Sequence, residues 1–388
     1  MSDHDEQALI AHAAWRGKLR TQVISPVSTR AELSLAYTPG VAAPCVAIAN
    51  DPQAVYTYTG KGHTVAVVTD GSAVLGLGNI GPLASLPVME GKCALFKAFG
   101  DVDAVPIALD SQDPQTLITS IKALAPAFGG INLEDISAPR CVEIERALVE
   151  ALDIPVFHDD QHGTAIVVSA ALRNALKLVQ KDLCQVRIVM SGAGAAGSAI
   201  VRMLHGLGAR RLTVFDKEGQ LHADRESLDF LQRELLTLIP STPRFNSLAD
   251  ALKGADVFIG VSAPNLVSEA MVGSMAKDPI VFALANPNPE IAYDDAIRGG
   301  AAIAATGRSD RPNQVNNVLA FPGLFKGALS VQAKRITPAM MHAAVDALAN
   351  LVGDELSPTM ILPIALDPRV AETVALAVAH AANEVSPK

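Results

Sequence analysis

The chain has 388 residues, of which 49% are hydrophobic, 18% charged and 4% aromatic, with a formal net charge of −9. That length exceeds what a single hydrophobic core serves, so two domains are expected, and the acidic balance argues against nucleic acid, whose phosphates are held by clustered Lys and Arg. No apolar run approaches the roughly 18 residues of a membrane span, and Cys45, Cys93, Cys141 and Cys184 show no metal-like pairing, which suits free thiols in a cytoplasmic protein.

The N-terminal stretch "MSDHDEQALIAHAAWRGKLR" mixes charges through its first turns and reads as an amphipathic helix of the mature protein. From about Thr64 onward β-rich runs alternate with helical ones, which places the chain in the α/β class. "TVAVVTD" and "DAVPIALD" are strands of a first domain, joined by the glycines of "GLGNIG" (Gly76, Gly78, Gly81) and a helix that carries Lys92. A helix from Pro139 to Leu152 follows, and a boundary near Gln161 divides the chain into 1–161 and 162–388. The breaker-free stretch after Gly163 reads as a helix that couples the two domains. "VRIVMS", "GAGAAG", a helix from Ser198 to Leu207 and "RLTVFD" then form a βαβ unit. With "DVFIGV", "PIVFALA" and "AAIAAT" this predicts a doubly wound sheet, followed by two packing helices that start near Pro338 and Pro368.

Two stretches match G-x-G-x-x-G. Gly192, Gly194 and Gly197, with Ala195 and Ala196 between them, follow a strand and open a helix, and Asp216 ends the next strand 19 residues after Gly197. In that context backbone N–H groups and the helix N-terminus would cradle a pyrophosphate, with Asp216 on the adenosine ribose. The match at Gly76 ranks second, because Pro82 and Pro87 interrupt the helix start and Asp101 and Asp103 precede the next strand instead of ending it. A tight turn, or a close approach of backbone to substrate, explains those glycines as well.

Two adjacent acid pairs, Glu134-Asp135 in "INLEDI" and Asp159-Asp160 in "FHDDQHGT", each end a strand-like run. On parallel strands they share one edge, and so much negative charge is tolerable where a divalent cation sits among the oxygens, Mg²⁺ or Mn²⁺ by donor type. His158 and His162 have the i, i+4 spacing of a zinc hydrolase, but Asp159 stands where its glutamate would be and Gly163 breaks the helix. The bland reading also stands at this point: Asp160 caps the following helix and the other acids are surface. Taken alone, Tyr37 reads as a buried aromatic before a helix and Lys92 as a solvated helix face.

"LAYTPGVA", "VMEGK", "NLEDI", "FHDDQHGTA", "SGAGAAG", "ALANPNPE" and "TGRSDRPNQVNNVLAFPG" stand in the order in which they occur in malic enzymes, and from about residue 15 to about 350 the chain resembles the short bacterial form of that family. The resemblance implies oxidative decarboxylation of L-malate to pyruvate and CO₂ with NAD or NADP and Mg²⁺ or Mn²⁺. It implies a metal held by Glu134, Asp135 and Asp160, with Asp159 positioning the cation or a lysine; Lys92 as general base and Tyr37 as general acid; and Asn286 and Asn317 at the substrate carboxylate, Asn286 also beside the cofactor. It assigns no role to His158 or His162. Burial and the metal would lower the Lys92 pKa into a useful range. A homodimer with the Trp15 helix at its interface is expected, and the phosphotransacetylase-like extension of some longer relatives is expected to be absent.

Asp216 favours NAD, since a carboxylate there accepts from ribose hydroxyls and repels a 2′-phosphate. Lys217 is the only neighbour expected to offset that repulsion, because Arg210 and Arg211 begin the strand, roughly 17 Å away by strand rise. Two other readings compete: a metal-independent two-domain dehydrogenase of the amino-acid type, in which the acid pairs are structural, and a non-catalytic dinucleotide sensor.

Overall fold

The structure, a computed structural model, describes residues 3–239 and 243–385. It contains two sheets. The first is wholly parallel, with β1 (Thr64–Thr69), β2 (Asp103–Ala108), β3 (Gly130–Leu133) and β4 (Val156–His158) in the order β2-β1-β3-β4. The second comprises β5 (Arg187–Ser191), β6 (Arg211–Asp216), β7 (Gly219–Gln220), β8 (Val257–Gly260), β9 (Ile280–Ala283) and β10 (Ile303–Thr306), ordered β10-β9-β8-β5-β6-β7. Only β7 runs antiparallel. The buried runs of Val, Ile and Ala in β1, β5, β8 and β9 are those of strands covered on both faces.

Both sheets are wound outward from an interior strand. In the first, the chain leaves β1 for β2 on one side and returns to β3 on the other; in the second, it leaves β5 for β6 and returns to β8. Crevices open at the carboxyl ends of strands where direction reverses so. The acid pair Glu134-Asp135 lies just past β3, beside the end of β1, and the glycine loop from Gly192 lies just past β5, beside Val261 at the end of β8.

The helix Thr164–Val179 joins the two parts and is no surface linker: Ala165 to Leu172 are all buried, in a core cluster that also contains Val65 and Val67 of β1 and Ile188 and Met190 of β5. A second tie is the helix Phe321–Ser330, which follows the second sheet in sequence yet packs on the first. Phe321 lies 4.6 Å from Phe96 between ring centroids, and Phe325 lies 5.4 Å from Phe96 and 5.9 Å from Phe157. On its other side, Gly323 and Gly327 let the C-terminal helix Arg369–Val385 approach closely; a Cβ on Gly323 would stand 2.6 Å from the Ala371 carbonyl oxygen. The helix Pro338–Leu351 also takes its proline in the first turn, as expected.

One expectation about this region is corrected. The Lys92 helix begins at Gly81 and continues to Gly100 straight through Pro87. Pro82 sits in its first turn, where the missing N–H has no intrahelical partner to lose, and the carbonyl of Pro87 accepts a hydrogen bond from Lys18 Nζ at 2.6 Å.

Candidate active site

The two crevices face each other across one cleft of about 590 Å³. Gly76 and Gly78 line it from the first part, Asp160 and Thr164 from the connection, and Ala195, Ala196, Ser262, Asn286 and Asn317 from the second. The lower-ranked glycine motif therefore walls the same cavity as the dinucleotide loop, as backbone that approaches a ligand would. In the dinucleotide loop the glycines have separable causes. A Cβ on Gly197 would lie 1.9 Å from the Gly192 carbonyl oxygen, whereas Gly194 has nothing within 4 Å, which leaves room beside the start of the helix Ala195–Gly206.

At the first crevice Glu134, Asp135 and Asp160 each bring a carboxylate oxygen within 4.8 Å of the others. Asp135 holds φ at 54°, a left-handed conformation unusual for a residue with a Cβ, and its N–H donates to Asp160 Oδ2 at 2.8 Å. Asp159 and Asp160 can be neighbours because residues Asp159–Gly163 form a single wide π turn. One side chain points to each side of it: Asp160 toward Asp135, and Asp159 toward Lys92, whose Nζ donates to its Oδ2 at 2.6 Å. Gly163 is required there, since a Cβ would lie 1.9 Å from Asp159 Oδ1.

Lys92 is 8% exposed, not a solvated helix face. Besides Asp159 it lies 2.8 Å from Glu134 Oε1, and its ammonium stands 4.2 Å over the Phe321 ring. Asn132 Nδ2 fixes the other oxygen of Glu134 at 2.9 Å. The lowering expected of Lys92 belongs to the cation-bound site; among the carboxylates alone the balance runs the other way. Burial does pull it down, but the charges of Asp159, Glu134 and Asp160 outweigh burial and hold the ammonium above its ordinary range. The carboxylates move up: burial raises Glu134, Asp135 and Asp160 first, and the Asp160 charge raises Glu134 and Asp135 further. Asp159 is pushed up to about 7, again mainly by burial. Three converging carboxylates, with Asp135 Oδ2 buried and unpartnered, form an all-oxygen set that fits a hard divalent cation.

Of the two histidines, His158 has Nδ1 3.7 Å from Asp160 Oδ2, whereas His162 faces Glu145. His162 Nε2 lies 3.0 Å from Glu145, whose carboxylate also accepts from His158 N–H at 2.8 Å and Gln161 Nε2 at 3.2 Å. His158 is wholly buried and burial lowers its pKa to about 4. Among the described residues the candidate metal group is carboxylate only.

Asn286 and Asn317 line the cleft as expected. Tyr37 does not: it closes the short helix Arg30–Ala36, is 68% exposed and stays outside the cavity lining, so it is neither a buried aromatic nor, within one chain, close-packed in the site. At the end of β6, Asp216 is already engaged. Arg225 Nη1 and Nη2 donate to its two oxygens at 2.9 Å each, the Glu218 N–H at 2.8 Å and Gln232 Nε2 at 3.0 Å. The expectation that Lys217 is the only neighbour able to offset repulsion of a 2′-phosphate is thereby corrected, because a loop returns the cation of Arg225 to Asp216 from nine residues ahead.

A doubly wound nucleotide fold opposite an acidic crevice with a buried lysine defines a two-domain NAD(P)-dependent oxidoreductase. Residues 16–117 match the family "Malic enzyme, N-terminal domain" and residues 161–383 match "Malic enzyme, NAD binding domain". The "Bifunctional malic/malolactic enzyme" of Bacillus subtilis is 53% identical over 98% of this chain and 93% of its own, and the "NADP-dependent malic enzyme" of Halomonas elongata is 48% identical over 98% and 94%. The crystal structure of the NAD-dependent malic enzyme of Thermotoga maritima superposes with a TM-score of 0.93 at 49% identity, covering 96% of this chain and 98% of that one. The chain belongs to the malic enzyme family.

Proposed function

We propose that this chain oxidises and decarboxylates L-malate to pyruvate and CO₂, with reduction of NAD in preference to NADP, in a reaction that depends on a divalent cation held by Glu134, Asp135 and Asp160. The observation that carries the reading is the convergence of those three carboxylates within 4.8 Å, beside buried Lys92, with Asp160 lining the cleft that Ala195 and Ala196 of the dinucleotide loop also line. Its division is 1–161 for malate and metal and 162–388 for the nucleotide. No helix among the described residues is long and apolar enough to cross a membrane, and a cytoplasmic setting suits the four free thiols.

A cation in that set would supply Lewis acidity toward the oxygen on malate C2, both as its proton leaves and once CO₂ has gone. Lys92 would take the C2 hydroxyl proton, and a nicotinamide dinucleotide held by the loop from Gly192 would supply the acceptor for the C2 hydride. For this the lysine must first lose its own proton, and Asp159, whose Oδ2 accepts a hydrogen bond from Nζ at 2.6 Å, is the nearest acceptor. Positive charge among the carboxylates also cancels the field that holds the ammonium protonated. Asn286 and Asn317 orient the substrate from the nucleotide side, with Asn286 bordering the cofactor. The C3–C4 bond then breaks, and C3 takes up a proton.

Tyr37 is the acid expected for that last step, and its exposure ties the role to assembly. Leu9, Ile10, Trp15, Ile24, Leu35 and Tyr37 are all more than half exposed within the first 40 residues, apolar side chains of the kind that partners cover, although the helix Asp3–Trp15 spreads its own around the axis and is not the amphipathic helix expected. A homodimer formed through it is part of the proposal. The test is NADH or NADPH formation from malate, with sedimentation of the same sample: turnover must stop with EDTA and return with Mn²⁺. Metal-independent turnover, or none with either nucleotide, overturns the reading.

A further inference from the structure

A second cavity, of about 640 Å³, lies away from the catalytic cleft, where the helix Thr164–Val179 meets the far end of the helix Ala195–Gly206 and the helix Pro338–Leu351. One wall is a single stripe of the long helix, running from Ser169 to Gln180 at helical spacing. The floor is apolar: Leu172, Leu176, Leu204 and Val345 are each no more than 5% exposed. Two polar features break it, at opposite ends. Deep in the cavity, Ser169 is 2% exposed and its Oγ has no hydrogen-bond partner, although buried hydroxyls normally find one. At the rim, Arg173 pairs with Asp346 and Lys181 with Asp256, whereas Lys177 makes no ion pair among the described residues.

We propose that this cavity is a binding site for a monocarboxylate with an apolar body and a hydrogen-bonding group at its far end, whose charge rests on Lys177 and whose far group meets Ser169 Oγ. One unpaired ammonium suits one negative charge, and Asp182 on the same rim opposes a second, which weighs against phosphates. Ser169 and Lys177 are eight residues apart, about 12 Å along the helix axis, so the ligand is extended. Its position gives it a route to the reaction. The helix that forms the wall begins at Thr164 and the helix that supplies Leu204 begins at Ala195, and both starting residues line the catalytic cleft. A ligand wedged between their far ends therefore couples to what binds between their near ends.

Calorimetric titration of the full-length protein with 10-hydroxydecanoate tests the site without reference to catalysis. Saturable binding is expected, at least tenfold weaker for decane-1,10-diol, and for 10-hydroxydecanoate at least tenfold weaker in Lys177→Glu and in Leu183→Trp, which narrows the rim. Saturating 10-hydroxydecanoate should change the KM for malate or nucleotide at least twofold in the wild type and leave both variants unmoved. Absence of saturable heat, equal binding of hydroxy acid and diol, or undiminished binding in both variants overturns the proposal. So does dissociation of the oligomer by these substitutions, which would make the cavity a subunit contact. Because binding is read directly, these outcomes stay distinct from failure of the malate assay.

Discussion

Arg225→Ala should move nucleotide preference toward NAD by improving the use of NAD itself. A carboxylate has about four acceptor positions, and Asp216 has four donors at 2.8 to 3.0 Å, two of them from Arg225. Adenosine hydroxyls thus bind Asp216 only by displacing donors already there. Hydrogen bonds to a charged group contribute about 1.5–3 kcal/mol each, so opening two positions offers NAD a gain of that order, reduced by water that occupies them meanwhile. For NADP the same change exposes a bare carboxylate to the 2′-phosphate: at about 5 Å and an effective dielectric near 20, each unit of charge is repelled by about 3 kcal/mol before salt screening. A shift of at least tenfold in the NAD to NADP ratio of kcat/KM, about 1.4 kcal/mol, is a conservative expectation. Initial rates with both nucleotides at saturating malate and Mn²⁺ measure it. Asp216→Ala should shift the ratio at least tenfold the other way by releasing the guanidinium. If Arg225→Ala only weakens NADP and leaves kcat/KM for NAD unimproved, Arg225 is a phosphate ligand and the clamp argument is wrong.

Lys92→Ala should abolish malate oxidation while NADH still binds within a few-fold, by fluorescence titration; near-normal turnover would remove Lys92 from proton transfer. Asp135→Asn and Asp160→Asn should each weaken Mn²⁺ at least tenfold in a spin-resonance titration, since a neutral amide loses much of the Coulomb attraction; unchanged affinity takes that residue out of the ligand set. Glu234, bonded by Arg146 at 2.7 and 2.6 Å and by Arg202 at 3.1 Å, has its pKa lowered from 4.5 to about 2, most by the Arg146 hydrogen bond. Its stabilisation is therefore full above pH 4.5 and lost as pH falls toward 2. Partial exposure holds it to about 1 kcal/mol or less, so Glu234→Gln should lower Tm slightly at pH 7 and not at pH 2.5; an equal deficit at both would rule out the ion pair as the cause.

What the sequence discloses about this protein is what short stretches carry by themselves. The strands are legible because burial on both faces leaves apolar runs, and the loop at Gly192 because its strand, glycines and helix are contiguous. The acid pairs could be assigned to one edge because parallel strands end together. Contacts made by distant segments were not legible. Lys92 and Asp159 are 67 residues apart, and nothing near Lys92 announces that three carboxylates will reverse the effect of burial on its proton. Phe321 beneath the Lys92 ammonium looks like any core aromatic. Arg225 was missed for a different reason: it is close in sequence, but the turn that folds it back onto Asp216 has no signature as plain as the strand before it.

The helix Phe321–Ser330 bears on how the molecule is made. Phe321 and Phe325 fill the space beside Phe96 and Phe157, so the first sheet leaves the ribosome with its aromatic seam open, and the seam closes only after the whole second sheet has been synthesised. For most of translation the Lys92 helix therefore carries an apolar flank without a cover, the condition under which nascent chains recruit chaperones or aggregate. Stalled nascent chains ending before Phe321 should stay protease-sensitive at that helix, and chains ending well past Ser330 should not.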